Sequence, residues 1–138
     1  MLSMFLSRGN VVEVLTPGTK PLRDVLRDYM GRGFTGRISY RYPAEGVFIS
    51  IEVVDGAIVA CRGVALGNLH EGAKCCEAAV EYLDRLEGSI EVIEIDSNSI
   101  LNDVRLFPSS KIEGETTLHK HLSESPIIEK RVGEKPPI

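Results

Sequence analysis

The chain has 138 residues, 43% hydrophobic and 26% charged, with a formal net charge of −4, which is the size and balance of one soluble domain that can bury a core without metal or disulfide staples. Its longest apolar runs are strand-length, and none approaches the roughly 20 apolar residues needed to span a bilayer. The hydrophobic opening Met1–Leu6 is followed by Arg8, too short for a secretory leader, so a cytoplasmic protein without membrane attachment is expected.

Val11-Val12-Glu13-Val14-Leu15 is β-rich and ends at Thr16-Pro17-Gly18, a turn signal. Thr19 then offers a helix cap, with Pro21 in the first turn. Leu22, Val25, Leu26, Tyr29 and Met30 fall at i, i+3, i+4, i+7 and i+8, one face of a helix that Gly31 and Gly33 end. From Phe34 the period becomes two. Ile38, Tyr40 and Tyr42 alternate with Arg37, Ser39 and Arg41, and after a Pro43–Gly46 turn Val47, Ile49, Ile51 and Val53 alternate with Phe48, Ser50, Glu52 and Val54. Asp55-Gly56 suits a two-residue type I′ hairpin, whose central positions both need positive φ. Ala57–Cys61 returns as a third strand of an antiparallel meander.

Residues 62–72 read as a glycine-containing connector, followed by a helix over Ala73–Leu86, a stop at Gly88 and a strand over Ser89–Ile95. Asp96 or Ser97 can cap a short helix ending before Pro108. The fold class expected is α+β: an antiparallel sheet of about four to five strands, two main helices packed on it, and a short C-terminal helix. The domain is expected to span residues 1–108. Residues 109–138, rich in Lys, Glu, Ser, His and Pro, read as a polar tail that is flexible or becomes ordered on a partner.

Two blocks carry a resemblance: Gly33-Phe34-Thr35-Gly36-Arg37-Ile38, and Val54-Asp55-Gly56-Ala57-Ile58-Val59-Ala60 before an alanine-rich helix. Together they resemble the bacterial and archaeal PATAN domain. Ser89-Ile90-Glu91-Val92 and its following helix are similar to an archaeal family of uncharacterised proteins. The resemblance spans about residues 20–107. It implies an interaction or scaffolding module without catalytic residues, and it carries no functional residue over. An archaeal source agrees with the absence of glutamine and the abundance of both charge signs, which is a thermophile tendency.

Gly31-Arg32-Gly33-Phe34-Thr35-Gly36 matches G-x-G-x-x-G, but a dinucleotide fingerprint needs strand then helix, and here the order is reversed. Cys61, His70, Cys75 and Cys76 lack paired metal-ligand spacing. The odd cysteine count, with two adjacent, is no disulfide framework, so the three are expected to be small packed residues. No nucleophile motif such as G-x-S-x-G is present. Neither an enzyme, a metal nor a cofactor is expected.

Charge is uneven: residues 1–42 hold seven Lys/Arg against three Asp/Glu. Arg23, Arg27, Arg37 and Arg41 form a candidate partner surface, able to hold phosphates beside aromatics or to pair internally with Glu52 or Glu91 across the sheet. In the tail, Ile127, Ile128 and Val132 mark a candidate docking segment that could add a strand to a sheet edge. The expectation is a protein-interaction or self-associating module. Nucleic-acid binding through the arginines is the runner-up, and a small-ligand sensor with a pocket under the 62–72 connector is the third reading.

Overall fold

The computed structural model describes residues 4–124. In chain order the elements are β1 (Asn10–Leu15), α1 (Leu22–Gly31), β2 (Gly36–Tyr42), β3 (Val47–Val54), β4 (Ala57–Ala65), β5 (Asn68–Glu71), α2 (Ala73–Val80), β6 (Ser89–Glu94), α3 (Ser97–Leu106) and α4 (Thr117–Leu122). The strands form one six-stranded sheet in the order β1-β6-β2-β3-β4-β5, antiparallel throughout. The α+β class stands, but the sheet has more strands than the four to five expected. The 62–72 connector is itself a hairpin: β4 runs on to Ala65, turns at Leu66-Gly67 and returns as β5, pairing Arg62 with Glu71. Glycines there read as a loop, yet Gly63 lies inside β4, facing His70.

One face of the sheet carries the apolar core. Alternation places Ile38 and Tyr40 of β2, Ile49, Ile51 and Val53 of β3, and Ile90 and Val92 of β6 against Leu22, Val25, Leu26 and Tyr29 of α1 and Cys75, Cys76 and Ala79 of α2. Asp55 and Gly56 both have positive φ (49° and 81°), as a type I′ turn requires. Gly88 is needed for a different reason than helix termination: a Cβ there would lie 2.4 Å from the Tyr40 ring.

Several boundaries differ from expectation. α1 starts after Pro21, whose carbonyl accepts from the amides of Asp24 and Val25. Thr19 does not cap it; its hydroxyl lies 3.1 Å from that of Thr16. α2 ends at Val80 rather than Leu86, because the amides of Glu81, Tyr82 and Leu83 donate to carbonyls three residues back. That tighter winding turns both Tyr82 and Leu83 into the core.

The chain does not leave the domain at Pro108. The Ile112 amide donates to the Val59 carbonyl at 2.9 Å, and Lys111 bridges Ala60. Ile112, Leu118 and Leu122 join the main core. The expected boundary at residue 108 is therefore corrected to at least Glu124, since Leu118 and Leu122, one helical turn apart, supply an apolar face that covers α2.

The cysteine expectation is corrected as well. Cys61 of β4 and Cys75 of α2 form a disulfide across a separation of 14 residues, while Cys76 is a buried free thiol. Residues distant in sequence meet because α2 lies on the helix-covered face of β4.

Candidate interaction surface

The opposite face of the sheet is polar and partly covered. Here β2 presents Arg37 and Ser39, β3 presents Ser50 and Glu52, and β6 presents Glu91, all buried. Residues 4–7 and α3 lie over it. Met4 and Phe5 pack with Ala60 and Phe107, and Asp103 of α3 reaches Arg37.

Arg37 is the centre of this layer. Its Nε and Nη2 donate to Glu52 Oε2 at 3.1 and 3.0 Å, and Nη2 also donates to Asp103 Oδ2 at 3.1 Å and to the Ser7 carbonyl at 2.9 Å. The Ser7 amide donates to Asp103 Oδ1 at 2.9 Å, and its hydroxyl to Oδ2. Burial, then the neighbouring Asp103 carboxyl, pushes Glu52 up to about 9. For Asp103, burial acts upward but is outweighed by bonds from Glu52 and Ser7, leaving it below the ordinary range. The two shifts run in opposite directions, burial favouring the neutral form of Glu52 and hydrogen bonds beside Arg37 the charged form of Asp103.

The four candidate arginines are not brought together. Arg23 and Arg27 lie on α1 and hold the C-terminal end of α4. Arg23 pairs with Asp84 through Nε at 2.7 Å and donates to the His121 carbonyl. Arg27 donates through Nε to the Leu122 carbonyl at 2.6 Å, and through Nη2 to that of Glu124. The carbonyls of His121 and Leu122 belong to the last turn of α4, where the helix dipole favours cations. Arg37 is buried in the polar layer on the other side of the sheet, and Arg41, half-buried on that side, has an Nε with no hydrogen-bond partner among the described residues. The tail segment with Ile127, Ile128 and Val132 lies outside the described residues.

The G-x-G-x-x-G loop is closed to phosphate. The amides of Arg32, Gly33 and Phe34 donate to the Tyr29 and Met30 carbonyls of α1, so none points outward at an anion. Beside it a cleft of about 820 Å³ is lined by Arg8, Arg32, Phe34, Asp55, Glu94 and Asp96. Charges of both signs alternate around it, and Arg32 is paired with Asp28 at 2.8 Å.

No family model, curated protein or solved structure matches the chain.

One element stands out as unpartnered. Among the described residues, β1 bonds to β6 on one side and to no strand on the other. Val11, Val12 and Val14 are 57%, 50% and 59% exposed. Val12 is the extra residue of a bulge, since Val11 faces Ile93 and Glu13 already faces Val92. Glu13 turns toward the helices, where its carboxylate accepts the Tyr29 hydroxyl at 2.6 Å. Edges are ordinarily guarded by Lys, Pro, shortness, a bulge or an inward-pointing charge, and the bulge and Glu13 give β1 the last two. β5, at the other edge, is four residues long and polar, whereas β1 has six residues and neither Lys nor Pro. The valines were legible as a strand. Their place at an edge was not, because strand order is set by which distant segments meet.

Proposed function

We propose that this domain is a non-enzymatic protein-interaction module whose partner adds an extended segment to the outer edge of β1. The observation that carries the reading is the edge lined by three half-exposed valines. A partner strand would complete the backbone hydrogen bonds of β1 and cover valines that the fold leaves in water. The likeness of residues 33–38 and 54–60 to PATAN domains points to the same class of module, in a cytoplasmic archaeal protein. A buried disulfide suits that setting if the source is a hyperthermophile, whose intracellular proteins retain such bonds. Nucleic-acid binding draws less support: Arg23, Arg27 and Arg37 hold elements of the fold together, and the open cleft is of mixed charge.

The test is capture from a native extract, with and without nuclease, by the full chain and by a Val12→Lys/Val14→Lys variant, followed by amide hydrogen exchange on the captured complex. A protein retained in near-stoichiometric amount by the parent and lost by the variant, with β1 amides newly protected, is the expected result. Retention by both with β1 exchange unchanged would refute the edge as the site. Capture that disappears with nuclease would transfer the function to nucleic acid.

A further inference from the structure

The other end of the sheet carries a second surface, and we infer that it joins two copies of this chain about a two-fold axis. The β4–β5 hairpin turns on Leu66 and Gly67, with φ of 54° and 78°. This turn geometry favours Asn or Asp before Gly, and a leucine in the left-handed region is sterically disfavoured. The side chain gains no burial in return, for Leu66 is 79% exposed. A strained backbone holding an apolar side chain out into solvent is unexplained by the fold and directs attention to a contact.

The receptor for such a side chain lies next to it on the same chain. Between the hairpin and α2 is a groove of about 400 Å³ whose walls include Ala65, Leu66 itself, Ala78 and Tyr82, with Lys74, Glu77 and Glu81 along the α2 side. A knob and a groove adjacent on one protomer are what an isologous interface requires, because the same patch serves both partners. Charge places the second copy more closely. Lys74, Ala78 and Glu81 fall at i, i+4 and i+7 along α2 and the turn that follows it. Neither Lys74 nor Glu81 has an ion pair among the described residues. Two α2 helices crossing antiparallel, with the axis near Ala78, set Lys74 of each copy against Glu81 of the other. Each Leu66 then enters the facing groove. Since β1 and β5 are opposite edges of the sheet, the dimer keeps both β1 edges outermost and is bivalent for strand-adding partners.

Sedimentation equilibrium of the full chain tests this independently of β1. The parent should self-associate, and Leu66→Asn should weaken association about tenfold or more, while its thermal midpoint at dilutions where both chains are monomeric stays equal or rises, because Asn suits the turn. Lys74→Glu and Glu81→Lys should each weaken the dimer, and the two together should restore it. A parent that remains monomeric at high concentration, a Leu66→Asn dimer as tight as the parent's, or failure of the double exchange to restore association would each overturn the two-fold contact. Val12→Lys/Val14→Lys should leave this dimer intact, which separates its failure from failure of the edge-binding reading.

Discussion

At position 52 the alternation of β3 turns a carboxyl into a buried layer facing Arg37, Asp103 and Ser7, and the pair of acids retains one proton. An ordinary glutamate titrates near 4.5, but Glu52 holds its proton until about 9. Between those values the folded chain carries a proton that the unfolded chain lacks. Stability is therefore fully present below the ordinary value and is lost as pH rises toward about 9. The slope can reach about 1.4 kcal/mol per pH unit. Asp103 works in the opposite sense, contributing stability above its ordinary range that is lost on strong acidification. Glu52→Gln keeps a neutral side chain of the same shape, so urea unfolding across this range should lose the alkaline decline and leave the variant more stable than the parent near pH 9. A parallel pair of curves would show that Glu52 is already ionised at neutral pH. Arg37 and Glu52 were legible as cross-strand partners, because alternation puts both on the polar face of a meander. Asp103 and Ser7 were not, since nothing in local periodicity says which helix and which terminus close over that face.

α4 shows how an element can be missed when its signal is short. Leu118 and Leu122 are the two buried residues of a six-residue helix, set in a stretch of Lys, Glu, Ser and His whose composition reads as a tail. Its binding comes from other elements: Arg23 and Arg27 of α1 bond its C-terminal carbonyls, and α2 receives its leucines. Arg23 and Arg27, spaced i, i+4, looked like an anion-binding pair, and the anionic ligand they find is the helix end itself. Burying Ile112, Leu118 and Leu122 contributes about 1.5–3 kcal/mol each, together comparable with the roughly 5–15 kcal/mol that separates a folded domain from its unfolded chain. A chain cut after Pro108 should accordingly show no cooperative thermal unfolding by circular dichroism, whereas one ending after Glu124 should melt close to the full chain. Cooperative melting of the shorter piece at the parental midpoint would show that α4 is dispensable.

For the whole molecule, the disulfide and the two sheet edges matter most. Cys61–Cys75 ties α2 to β4 and encloses the β5 hairpin, a loop for which chain entropy gives about 3 kcal/mol. Denaturant titrations with and without reductant should differ by about that amount. Thiol counting gives the partner test: in the native oxidised protein the alkylating reagent should find nothing, as Cys76 is buried and its thiol is pushed up to about 11 by that burial. Denaturant alone should expose one thiol, and denaturant with reductant three. Three thiols without reductant would show the disulfide to be absent. Among the described residues β1 and β5 are the two edges of the sheet, one lined by exposed valines and the other carrying the exposed Leu66 at its hairpin tip.

By itself the sequence determined what depends on near neighbours. Helical spacing in residues 22–30, alternation in residues 36–54 and the Asp55-Gly56 turn each describe a local conformation, and α1, β2, β3 and the hairpin into β4 follow from them. It determined the absence of apolar runs long enough to cross a bilayer in the same way. Long-range packing places β6 between β1 and β2, leaving β1 at an edge, brings Cys61 to Cys75, and sets Arg23 and Arg27 at the end of a helix about a hundred residues away. The physical reason is the range of the interactions. Periodicity records how each residue is buried or exposed, while the identity of what buries it is fixed when distant surfaces pack together.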